Sequence, residues 1–81
     1  MMTDLFTSIQ HAFHKAFDID PQLVTIDTVP EDVPGWDSLG HLTLADSLES
    51  ILGVSFDVDE LMEMENLREI VRIVESKGNH A

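Results

Sequence analysis

The chain has 81 residues, 43% of them hydrophobic, with no cysteine and sixteen acidic residues against four basic ones, a formal net charge of -12. That length fits one small domain, and the apolar content sets it apart from disordered chains. The acidity repels nucleic acid and anionic membrane surfaces and favours basic protein surfaces, the absence of cysteine excludes disulfides, and the apolar runs are too short to span a bilayer.

Met1-Met2-Thr3-Asp4 lacks the basic start of a signal peptide, so the expected location is cytoplasmic. Thr3 is a candidate cap for a first helix, with Asp4 in its first turn. Leu5, Ile9, Ala12 and Ala16 recur at helical spacing, and Phe6, Phe13 and Phe17 widen that stripe. Asp18-Ile19-Asp20-Pro21 ends the helix, because proline disfavours helical geometry in the residue before it. Residues 18–37 form a long connection. Leu23, Val24, Ile26, Val29 and Val33 mark it as packed over the open end of a bundle, and Pro21, Pro30 and Pro34 restrict it.

Pro34-Gly35-Trp36-Asp37-Ser38-Leu39-Gly40-His41-Leu42 joins loop to helix. Asp37 and Ser38 are both suitable N-cap residues. Ser38 thus stands at a helix mouth, where free N–H groups and the helix dipole favour an anion such as phosphate. From the local pattern alone, plain capping of the helix is the simpler reading of a serine here. Trp36 is expected to pack at the end of the loop and fix how Ser38 is presented.

The second helix is expected over about Leu39–Leu52, with Gly53 just past its end. His41, Leu44, Ala45, Leu48, Ile51 and Leu52 share its inner face. Leu39, Gly40, Thr43, Asp46, Ser47 and Ser50 point outward. Val54–Val58 reads as a connector. Residues 59–63 form a short third helix capped by Asp57 or Asp59. Asn66 and Glu69 have capping-box spacing and open a last helix with Leu67, Ile70, Val71, Ile73 and Val74 on its buried stripe. Lys77–Ala81 reads as a frayed tail. The expectation is all-α: a four-helix bundle over residues 1–81, a single domain with a short third helix and a long loop between helices one and two.

Ser38, His41 and Asp37 do not make a hydrolase. Asp37 is badly placed to orient His41, and the G-x-x-S-x-G spacing is not a nucleophile elbow. His11 and His14 lack a second ligand pair at zinc spacing. Asp18-x-Asp20 and Asp57-x-Asp59 begin like calcium loops. The turn glycine is replaced by Leu23 and Met62, and the bidentate glutamate by Val29 and Arg68. No metal site is expected. His41 reads as a satisfied, partly buried histidine whose neutral form the dipole favours.

Trp36-Asp37-Ser38-Leu39 resembles the Asp-Ser-Leu signature of acyl carrier proteins and related peptidyl carrier domains. The similarity covers nearly the whole chain, including the Leu48–Val54 ending of helix two, the acidic third helix and the Asn66-Leu67 start of helix four. The resemblance implies 4′-phosphopantetheine on Ser38 through a phosphodiester, with an acyl group held as a thioester, and a carrier rather than an enzyme. The implied partners are a phosphopantetheinyl transferase, an acyl- or aminoacyl-activating ligase, and an acyltransferase or ketosynthase; a monomer is expected. Gly40, Thr43 and the preceding Trp36 resemble stand-alone carriers of specialised pathways more than housekeeping fatty-acid carriers. An aminoacyl or peptidyl carrier and an unmodified acidic adaptor are the alternatives. Docking is expected through Asp37, Leu39, Asp46, Glu49, Glu60, Met62 and Glu63. Met62 and Met64 suit a bundle able to open between helices two and three.

Overall fold

The computed structural model describes residues 2–78, with side chains over 5–77. The expected cap at Thr3 and first-turn Asp4 lie outside the described side chains. Helix α1 spans Met2–Phe17, α2 Ser38–Leu52, α3 Val58–Glu63 and α4 Leu67–Gly78, with no strand among the described residues. The all-helical layout and the short third helix follow the sequence pattern.

Helix α1 stops because Asp18 enters the left-handed region at φ 57°, with its N–H donating to the His14 carbonyl at 2.8 Å. Asp tolerates that region better than most side chains. The loop is more structured than the sequence suggested: single 3₁₀ turns form at Pro21–Leu23 and Pro30–Asp32, each opening on a proline. Proline suits that first position, since its missing N–H would have no partner there. Val24 and Val33 are buried and Ile26 is half-buried over the bundle, but Leu23 points out, 67% exposed. Thr28 is buried; its hydroxyl accepts the Thr25 N–H at 2.8 Å, and its carbonyl accepts the Leu67 N–H at 3.0 Å, tying the loop to the start of α4.

Ile9, Ala12 and Phe13 of α1 meet Leu44, Ala45 and Leu48 of α2 and the predicted stripe of α4 in one core. Full burial of a side chain such as Phe13 or Leu48 stabilises by roughly 1.5–3 kcal/mol relative to exposure. Two assignments on α2 are corrected. Ser47, expected outside, is buried, because α1 lies along that flank with Lys15 beside it; Ile51, expected inside, is left at the rim in the last turn. Gly53 ends α2 at φ 70°, its N–H donating to the Glu49 carbonyl at 2.8 Å.

Helix α3 begins one residue earlier than expected and has a full capping box. Asp57 accepts the Glu60 N–H at 2.8 Å, and Glu60 accepts the Asp57 N–H at 3.0 Å. At α4 only half of the expected box forms. Asn66 accepts the Glu69 N–H at 2.9 Å, but the Glu69 carboxylate turns to Arg72 at 2.7 Å, where a charged partner outbids an amide. Helix α4 continues through Lys77 because that ammonium is held by Glu60 at 2.8 Å and lies over the Phe56 ring; residues 79–81 of the expected tail lie outside the described residues.

Candidate functional site

Asp37, not Ser38, is the N-cap of α2: its backbone is extended, and its Oδ1 accepts the Gly40 N–H at 2.8 Å. Ser38 is therefore the first helical residue and is exposed. Its hydroxyl is released from capping and faces solvent at the positive end of the helix. The N–H groups of Ser38 and Leu39 lie in the first turn, where no helical acceptor exists.

The turn before Ser38 is locked from beneath. Gly35 adopts φ 92°, a region open to glycine at little cost, and its carbonyl accepts the Asp37 N–H at 2.9 Å. That carbonyl lies so close to Gly40 that a Cβ there would overlap it, and the Phe17 ring closes the other side. Trp36 is buried edge-on against Phe13, with ring centroids 5.0 Å apart and planes at 81°, a favoured aromatic geometry. The packing expected of Trp36 at the end of the loop is thus seen. Its indole Nε1–H donates to His41 Nδ1 at 2.9 Å, and His41 Nε2 bonds the Leu61 carbonyl of α3 at 2.8 Å.

Beside Ser38 an open cavity of about 770 Å³ lies between the loop, α2 and α3. Trp36, Leu42, Val58, Leu61 and Met62 supply apolar walls, with Glu31 and Glu65 at charged positions. Leu42 received no role from the sequence and Val58 only that of a connector residue; both are exposed, and with Leu39 and Met62 they form an apolar surface around Ser38. Helical spacing gave no signal for Leu42. The short α3, whose six residues bury nothing fully, leaves it uncovered.

The expected docking residues divide by geometry. Leu39 and Met62 are 71% and 72% exposed. Asp46 is exposed and has no ion-pair partner among the described residues. Glu49 turns inward, where its Oε2 accepts the Phe56 N–H at 2.9 Å and holds the connector. Glu60 pairs with Lys77 at 2.8 Å, and Glu63 with Arg72 at 3.2 Å. The bond from Lys77, then the Asp57 N–H, hold the Glu60 carboxyl below its usual range. The Glu69 and Glu63 carboxylates raise the affinity of Arg72 for its proton.

Among the described residues no group of three or more His, Asp or Glu could hold a metal, and no helix is long and apolar enough to cross a membrane. The site fits a phosphodiester on a flexible arm: an exposed hydroxyl, a helix N-terminus for the anion, and an adjoining apolar cavity. A family model described as "Phosphopantetheine attachment site" matches residues 34–74. An acyl carrier protein from Treponema denticola is 30% identical over 76 residues, spanning 94% of this chain and 97% of its own length. The chain belongs to the acyl carrier protein family, whose covalently attached cofactor is 4′-phosphopantetheine.

Proposed function

We propose that Ser38 is the attachment point and that the chain is a single carrier module without catalytic activity, delivering acyl groups to separate enzymes in a specialised pathway. The observation that carries this reading is the free Ser38 hydroxyl: Asp37 takes over the capping role, so the serine is not needed to hold the helix. Bound there, the prosthetic group supplies the thiol that holds cargo as a thioester, which a chain without cysteine cannot do itself. The first-turn N–H groups stabilise the phosphodiester, and Asp37 fixes their direction. The apolar cavity gives the arm a surface to lie on.

Phosphopantetheinyl transferase, an acyl-activating ligase and an acyltransferase or ketosynthase are the partners this reading assigns. They meet the protein at the surface around Leu39, Asp46 and Met62. Glu60 and Glu63 add a field weakened by their ion pairs, and Asp37 and Glu49 serve mainly to hold backbone. The test is intact mass after incubation with coenzyme A and a broad-specificity phosphopantetheinyl transferase. One added phosphopantetheine, lost in Ser38→Ala, supports the carrier. No gain with a transferase shown to be competent on another carrier supports an unmodified acidic adaptor.

A further inference from the structure

The ring of His41 bridges the loop and α3, which share no other hydrogen bond or ion pair among the described residues. Trp36 Nε1–H lies 2.9 Å from Nδ1, and the Leu61 carbonyl lies 2.8 Å from Nε2. An indole N–H only donates and a carbonyl only accepts. Nδ1 must therefore carry the lone pair and Nε2 the proton, so the two bonds select one neutral tautomer. The rings of Trp36 and His41 are also nearly parallel, at 13° with centroids 6.2 Å apart. Trp36, Ser38, His41 and Leu61 all border the cavity beside the attachment point.

A second proton on His41 would sit on Nδ1, facing the indole N–H. Two donors would then oppose each other, and the Trp36 bond would be lost. The bond from Nε2–H to Leu61 would remain and gain charge assistance. The change is therefore one-sided: it frees the loop wall of the cavity and keeps α3 attached. Glu31 from the loop and Glu65 beyond α3 share the cavity, Asp37 lies one helical turn before His41, and all three are acidic. The cavity lining holds no Lys or Arg, and α1 presents only the uncharged Phe13 and Phe17 rings to Trp36. A positive ring meets no cationic side chain there, while the positive end of α2, in whose first turn His41 lies, favours the neutral ring.

We propose that His41 is a positioning residue that latches Trp36 in one neutral tautomer, and that its protonation releases Trp36 and loosens the loop wall next to Ser38. The latch itself stands apart from any modification; only its consequence for an attached arm rests on the carrier reading.

The test uses unmodified protein, so a failure of the latch is separate from a failure of Ser38 to accept the prosthetic group. Imidazole ¹⁵N spectra identify the tautomer, and solvent exchange of the Trp36 indole N–H is followed from about pH 8 to about pH 5, where histidines change charge. Exchange rates are corrected for the intrinsic pH dependence with free indole. The expected result is the Nε2–H tautomer at the upper end. Corrected indole exchange then rises about fivefold or more, the factor one ordinary hydrogen bond represents, in step with the His41 ring signals. In His41→Gln, which cannot take up a proton, the corrected exchange stays flat. The Nδ1–H tautomer, or indole exchange that does not follow His41 in the wild-type protein, overturns the proposal whether or not the variant folds.

Discussion

Gly40→Ala is the sharpest test of how the loop holds Ser38 in place. Helix propensity alone predicts stabilisation, since alanine gains about 1 kcal/mol over glycine inside a helix. The geometry predicts the reverse. The new methyl group would overlap the Gly35 carbonyl oxygen and press on the Phe17 ring. A side chain could rotate away; a backbone carbonyl cannot. Gly35 is also bound through that oxygen to the Asp37 N–H, and Asp37 caps α2. Moving the carbonyl therefore shifts the cap and then Ser38. Overpacking of this kind costs typically 1–3 kcal/mol, and a clash with backbone belongs at the upper end. The net loss is about 1–2 kcal/mol, a fall in Tm of roughly 5–15 °C for a domain of this size. Thermal unfolding followed by helical circular dichroism measures it. The modification rate at Ser38 should fall as well. A Tm equal to or above the wild-type value would refute the close approach and the locking role given to it.

The Glu60–Lys77 pair makes a prediction on the acid side. The folded-state carboxyl of Glu60 titrates below its unfolded value, chiefly because of Lys77. Its contribution is thus present above the unfolded pKa and is lost as pH falls through the folded one. Glu60→Gln should flatten the acid limb of stability, read as the urea midpoint across an acidic pH series; parallel limbs would remove the pair from the account. For docking, Asp46→Lys should slow modification of Ser38 at low salt and converge on wild type at high salt, since exposed charges are screened over about 8–10 Å. Leu39→Ala should slow it at any salt, because its effect is contact. Equal rates and slopes in all three proteins would remove helix α2 as the docking face. Glu49→Lys is unsuited to this test, as it also breaks the bond to Phe56 N–H.

The elements were legible in the sequence where one signal dominated. The stripe Leu67, Ile70, Val71, Ile73 and Val74 is buried throughout, since a helix with one apolar face has one way to pack. The Asp-Ser-Leu motif marked the candidate site at the mouth of a helix, where the structure opens α2 at Ser38. What was hidden depends on contacts between distant residues. Periodicity cannot tell that α1 covers Ser47 and leaves Ile51 at the rim, because both sit at the edges of the same arc. Nor does a glutamate on an outer face reveal that its carboxylate curls back to a backbone N–H seven residues on, as Glu49 does. Asp37 and Ser38 were equal candidates for the cap, and only the bond to Gly40 N–H separates them. Gly40 itself carried a faint signal, a poor helix former in the first turn, with no hint of the carbonyl it makes room for. Trp36 and His41 were each readable as packed residues. Their mutual bond, and its continuation to Leu61 twenty residues further on, was not.

The proposed bearer of the prosthetic group is the Ser38 hydroxyl. Fragmentation mass spectrometry of the protein after reaction with coenzyme A and transferase tests it most directly. The expected fragments place the added phosphopantetheine on Ser38 alone, with Ser47, Ser50 and Ser55 at their unmodified masses. The group on any other residue, or a mass gain that survives Ser38→Ala, would contradict it.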